Sequence, residues 1–227
     1  MTIKTQKSAI WISSAVSDSG NIVGVLPYES TRPAKTDGRS DEERAAAFEL
    51  EQKQQRLMCA GGAVEVGTLN PTWAFNLRNA RGAHAPPFMS FSGVPAVTEA
   101  MKIFLEDFDL GDTRFHPIRI WDAGQKQEPW PEKFFVMNVA NQRATVDISD
   151  MDHPAFAPDF MTGKNELPLI VQQAELLRTL PSALDGPDLW MDPSLKYGLF
   201  VSDRLARAIG RSGLSRGWLL KKTQLQE

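Results

Sequence analysis

A chain of 227 residues with 42% hydrophobic and 23% charged side chains has the make-up of a globular protein long enough to bury a core without disulfide or metal staples. Its net charge of −3 argues against a general nucleic-acid binder, which is normally basic. A single cysteine, Cys59, excludes an intramolecular disulfide; with a polar start and no long apolar run, it gives the expectation of a cytoplasmic protein with no signal peptide and no membrane span.

Along the chain, Ala9-Ile-Trp-Ile-Ser-Ser-Ala-Val is rich in β-formers and reads as a first strand. Residues 21–38 hold two prolines and several turn residues, which predicts a loop or short hairpin. Ser40 is placed to cap a helix, and Glu43 stands where a capping box puts its acid. That helix runs to about Met58, with Ala47, Phe48, Leu50 and Leu57 as its expected packing stripe, and Gly61-Gly62 ends it. Short strands are expected over 63–69 and 72–77. The loop 79–87, with Gly82, Pro86 and Pro87, marks the best boundary between an N-terminal layer (1–84) and the rest (85–227), the two forming one continuous domain.

The second region is better defined. Phe88-Met-Ser-Phe-Ser is a strand and Gly93 a turn. Thr98 caps a helix whose Met101, Phe104, Leu105 and Phe108 fall on one face. Residues 113–121 return as a strand with Phe115, Ile118 and Ile120 inward, and 133–139 is another. Residues 144–148 are expected to pair back as a hairpin. A long loop over 149–166, a strand over 167–171 and a helical turn over 173–180 follow. Asp188-Leu-Trp-Met-Asp-Pro and Leu199-Phe-Val-Ser-Asp-Arg-Leu then give a strand and a strand capped into a helix, with a last strand near Trp218.

The two capped helices echo one another at an offset of 104 residues: Val97-Thr98-Glu99 against Val201-Ser202-Asp203. Two readings stand, a shared generic cap chemistry or an internal repeat of a strand–helix–strand unit. Either leads to the α+β class, a mostly antiparallel sheet with helices packed on one face.

The search for chemistry is unproductive. His84, His116 and His153 show no metal-ligand spacing, and the Asp150-Met-Asp152-His153 stretch reads better as a solvated acidic loop. Cys59 sits at a helix C-terminus, where a thiolate is disfavoured. No phosphate loop, dinucleotide fingerprint or nucleophile elbow occurs. No catalytic residue, cofactor or metal is expected. Charge, by contrast, is patterned: residues 147–192 carry nine acids against two bases, and 193–227 carry seven bases against two acids. Either the two segments neutralise each other across the fold, or the acids face a basic partner. On the second reading the contact residues are Trp130, Asp150, Asp152, Asp188, Trp190 and Asp192, two loop tryptophans and the acids near them.

Several segments together make a pattern: Pro87-Phe-Met-Ser-Phe-Ser-Gly-Val-Pro-Ala-Val-Thr-Glu, Phe108-Asp-Leu-Gly-Asp-Thr-Arg-Phe-His-Pro-Ile, Phe134-Phe-Val-Met-Asn-Val-Ala-Asn-Gln-Arg-Ala-Thr-Val-Asp, and the two stretches from Asp188 and Leu199. Over residues 85–222 the chain resembles immunity protein family eleven of bacterial polymorphic toxin systems. The resemblance implies a non-catalytic protein that binds a cognate toxin in the cytoplasm of the producing cell, with no nucleic-acid or membrane partner. An acid–base hydrolase and a homo-oligomeric adaptor are the competing expectations, and the sequence leaves the oligomeric state open.

Overall fold

The computed structural model describes residues 9–16, 25–27, 40–65, 67–75, 84–91, 93–122, 125–147, 149, 176–195 and 197–226. The elements in chain order are strands β1 (Ile10–Ser13) and β2 (Val25–Pro27), helix α1 (Asp41–Cys59), strands β3 (Thr72–Phe75), β4 (Phe88–Phe91) and β5 (Val94–Thr98), and helix α2 (Glu99–Leu105). Strands β6 (Thr113–Asp122), β7 (Phe134–Val139) and β8 (Arg178–Thr179), a 3-10 turn (Pro181–Leu184), β9 (Leu189–Met191), β10 (Leu199–Ser202), helix α3 (Asp203–Arg211), β11 (Leu220–Lys222) and β12 (Gln224–Leu225) complete them. The class is α+β, as expected.

Three sheets form, ordered β2-β3-β6-β7-β5-β4, β11-β1-β10-β9 and β12-β8. Among the strands described, β3–β6 and β12–β8 pair in parallel and the other ladders are antiparallel. Alternation along the strands splits the interior into three apolar layers. One face of the six-stranded sheet offers Met89, Ala96, Ile118, Ile120 and Val136, and Met58 of α1 packs against it. The other face offers Phe88, Val97, Met137 and Val139, which meet Met101 and Leu105 of α2, Leu205 and Ile209 of α3, and the inner face of β9 and β10 (Leu189, Met191, Leu199, Val201). The far face of the four-stranded sheet buries Ile10, Ile12, Trp190 and Phe200 with Val146, Leu177 and Ala183. So α2 and α3 share one layer, between the two large sheets, and α1 covers the opposite face of the six-stranded one.

Both capped helices begin as their sequences predict. Thr98 accepts from the Met101 amide (3.4 Å) and Ser202 from the Leu205 amide (3.2 Å). The return strands differ, ten residues in β6 and three in β11, so the echo is confined to strand, cap and helix. The capping box on α1 is complete, Ser40 Oγ accepting from the Glu43 amide and Glu43 from the Ser40 amide.

Three local expectations give way to side-chain hydrogen bonding. Residues 63–65 and 67–69 form no strand: the Val64 amide donates to Asn138 Oδ1 (2.8 Å) and Asn138 Nδ2 to the Gly62 carbonyl (2.8 Å), which takes these groups out of any ladder. Residues 144–147 do not pair back on β7. The Thr145 and Val146 amides donate to the Asp192 carboxylate, and Val146 bridges Thr179 instead. Of the expected stripe on α1, Phe48, Leu50 and Leu57 are exposed, and Ala47 alone is half-buried, on the packing face with Glu51, Gln54 and Met58. Those two polar side chains find partners under the helix: Glu51 Oε1 accepts from Asn70 Nδ2 (3.1 Å), and Gln54 Nε2 donates to the Thr68 carbonyl (3.1 Å). The last strand starts later than expected, because Gly217 bends the chain first (φ +96°), with its Cα pressed against β4 so closely that an added Cβ would lie 2.0 Å from the Phe88 carbonyl oxygen. The strand expected over 167–171, most of the loop over 149–166 and the first part of the helical turn expected over 173–180 lie outside the described residues; in the described remainder of that turn Arg178–Thr179 is not helical but strand β8, drawn into a parallel ladder with β12.

Candidate functional site

A cleft of about 270 Å³ opens where the 183–188 segment passes the start of β1 and the β10–α3 junction. Its apolar wall is Ala9, Ile10, Ala183 and Leu184; its polar groups are Asp185, Asp188, Ser202, Asp203 and Arg204. Each has a local reason to be there. Ser202 is an N-cap and Asp203 follows it at the positive helix end, the sequence logic of any capped helix. Asp185 and Gly186 turn the chain out of the 3-10 turn. Gly186 takes φ +80° beside the Arg143 guanidinium, a backbone conformation that favours glycine.

Asp188 is buried and fully engaged. Its carboxylate accepts from the Asp109 amide (3.1 Å), from Ser202 Oγ, and from Nε (3.3 Å) and a terminal nitrogen of Arg204. Its own amide donates to the Asp109 carbonyl (2.7 Å). The hydrogen bond and charge of Asp188 hold Arg204, two-thirds exposed at 66%, above the ordinary arginine pKa. Asp203 is held from two sides, by Trp11 Nε1 (3.0 Å) and Arg207 Nε (2.7 Å). Asp185 differs: it is exposed, and its carboxylate accepts no hydrogen bond from a described side chain. Its nearest charge influence is on Arg143, whose pKa burial lowers and Asp185 partly restores.

The sequence-predicted contact residues mostly fall elsewhere than expected. Trp190 is wholly buried; it stacks on Phe200 (5.5 Å, 13°), donates to Thr145 Oγ1 (2.9 Å) and lies under the Arg143 guanidinium at 5.0 Å. Asp192 is buried and accepts from the amides of Thr145 (2.6 Å), Val146 (2.8 Å) and Ser194 (2.9 Å). Trp130 is buried at 5% and packs on Phe134 (6.0 Å). An outward patch built on Trp130, Asp188, Trp190 and Asp192 is therefore corrected: strand alternation and unmet backbone amides draw these side chains inward. Asp150 and Asp152 lie outside the described residues. Of the four that are described, Asp188 alone lines the cleft. One ion pair between the acidic and the basic segment, Asp188–Arg204, forms there.

The resembling stretches also interlock through their polar side chains. Asn141 Nδ2 donates to the carbonyls of Leu110 (2.7 Å) and Leu189 (2.9 Å), and its Oδ1 accepts from the Asp112 amide (2.7 Å). With Asp188 on the Asp109 amide and Asp192 on Thr145 and Val146, three stretches distant in sequence are stitched together. Residues missed by sequence reasoning are Leu184, Asp185 and Arg204; the Asp185-Gly-Pro turn signal was the available pointer to an exposed acid. Among the described residues no group of three or more His, Cys, Asp or Glu side chains could hold a metal, and no helix is long and apolar enough to cross a membrane. No protein-family model and no curated protein matches the chain.

Proposed function

We propose that the chain is an immunity protein: it binds a cognate toxin in the cell that makes both, and neutralises it without catalysis of its own. The observation that carries this reading is the state of the polar groups in the cleft. Asp188, Ser202 and Asp203 spend their lone pairs and protons on partners within the chain. A nucleophile or general base must direct a lone pair at a substrate, and these are already engaged within the chain. Outward there remain Leu184, 46% exposed, and the Asp185 carboxylate beside an apolar wall. Drug-sized ligands take pockets of roughly 300–1,000 Å³. A smaller acidic notch with an apolar side suits one long basic side chain from a protein partner, which would anchor in it while the surrounding surface excludes water. The class of partner comes from the resemblance of residues 85–222 to the immunity family.

The test is calorimetric titration of the purified chain with the toxin encoded beside it, together with an assay of toxin activity. Complex formation below micromolar concentration with loss of toxin activity is expected. Asp185→Arg should weaken the complex about tenfold or more and flatten its salt dependence. Absence of a complex at micromolar concentration, or turnover of a substrate by the chain itself, would overturn the reading.

A further inference from the structure

The exposed side of α1 is self-complementary. On one flank of it Leu50 and Leu57 are 53% and 42% exposed. Along the outward face Ala46, Leu50, Lys53 and Leu57 follow at spacings of four, three and four, the seam of a helix that packs on another helix. Charge runs along the same face in one direction: Glu42 and Glu49 flank the first half, and Lys53 and Arg56 the second. Glu49, Lys53 and Arg56 make no ion pair with any described residue.

We propose that a second copy of this chain covers this face, its α1 lying antiparallel to the first about a twofold axis beside residues 51 and 52. In that register Ala46 meets the partner's Leu57, Leu50 packs along the stem of the partner's Lys53, and Glu49 lies beside the partner's Lys53 and Arg56. Twofold symmetry makes every contact twice. A parallel arrangement would set Glu49 against Glu49 and Arg56 against Arg56; the antiparallel one pairs opposite charges and aligns the helix dipoles favourably. A helix of 19 residues is about 28 Å long at about 1.5 Å per residue, so one helix face falls short of the roughly 800 Å² per partner of a tight interface. The dimer is accordingly weak, with half-association in the range of about 10–100 µM.

Sedimentation equilibrium of the full chain from about 1 to about 500 µM, with no toxin present, decides it. A monomer–dimer equilibrium is expected, abolished by Leu50→Glu. Glu49→Arg and Arg56→Glu should each weaken it about tenfold, and the double variant should recover to within about threefold of the parent. All three positions are exposed, so the fold is retained, and far-UV circular dichroism checks this. A chain that stays monomeric to the highest concentration, a dimer indifferent to Leu50→Glu, or a double variant no tighter than the singles overturns the proposal. None of these outcomes touches toxin binding, which is read in a separate titration.

Discussion

At the scale of single residues, the interior holds ionisable groups whose surroundings dictate opposite behaviour. Asp192 is buried with three backbone amides donating to its carboxylate, and it is the acceptor those amides need. Asp192→Ala removes the acceptor and leaves the Thr145 and Val146 amides without one. The expected loss is about 3 kcal/mol in urea denaturation, against less than about 0.5 kcal/mol for Asp185→Ala at the exposed rim. Equal losses at both positions would contradict the assignment of Asp192 to the interior. His116 is the reverse case. It lies on the central strand β6 opposite Val136, buried, and neither ring nitrogen has a hydrogen-bond partner among the described residues. Burial, and secondarily the charge of Arg114, lower its pKa from the ordinary 6.5. The unfolded chain therefore takes up a proton near pH 6.5 that the folded chain refuses until the pH is lower. The stability this contributes is complete above 6.5 and lost as the pH falls through that value toward the folded pKa. Unfolding free energy measured from pH 7.5 to pH 5.5 should decline in the parent, and His116→Leu should flatten the decline; an unchanged slope would remove His116 as its source.

At the scale of elements, α1 shows what local pattern can and cannot carry. Its start was legible because a capping box is a contact between residues three apart. Its packing face was not, because Glu51 and Gln54 are buried only by virtue of Asn70 and Thr68, which the chain brings under them through tertiary structure. The same division holds elsewhere. Strands β1, β4, β6, β7, β9 and β10 follow from β-formers and turn signals, while β5 was read only as a turn and a cap because Pro95 interrupts it. Asp188, Trp190 and Asp192 were visible as acids beside an aromatic; their inward direction depends on the amides of Asp109, Thr145 and Val146, far away in sequence. For α1 the consequence is measurable. Met58→Ala opens a void between α1 and the sheet and should cost about 2–4 kcal/mol, whereas Leu50→Gln on the outer face should stay within about 0.5 kcal/mol. Thermal melts at micromolar concentration, where the chain is monomeric, separate the two; the opposite ranking would mean that the helix packs through its leucines.

At the scale of the whole molecule, the chain order and the spatial order are interleaved. β1, from the first sixteen residues, is an inner strand of the four-stranded sheet, with β10 on one side and β11 on the other. Its Ile10 and Ile12 enter the layer with Trp190 and Phe200, and Trp11 donates to Asp203 on α3. β3 extends the six-stranded sheet alongside β6, and α1 covers that sheet's outer face through Met58. A boundary near residue 84 therefore divides the sequence without dividing the structure. A fragment 85–227 lacks the strand that joins β10 to β11, loses two of the three ladders of that sheet, and exposes the Ile118, Ile120 and Val136 face to water. Only the middle layer keeps both walls; the outer layer on each large sheet loses part of its apolar cover, Met58, Val64 and Trp73 on one and Ile10 and Ile12 on the other, and burial on that scale is what offsets the entropy of an ordered chain. The full chain is expected to unfold in one cooperative transition, and the fragment to show none in circular dichroism on heating and to bind a dye for exposed apolar surface. A soluble fragment with a sharp transition of its own would mean that residues 85–227 form an independent core and that the first 84 residues are an addition to it.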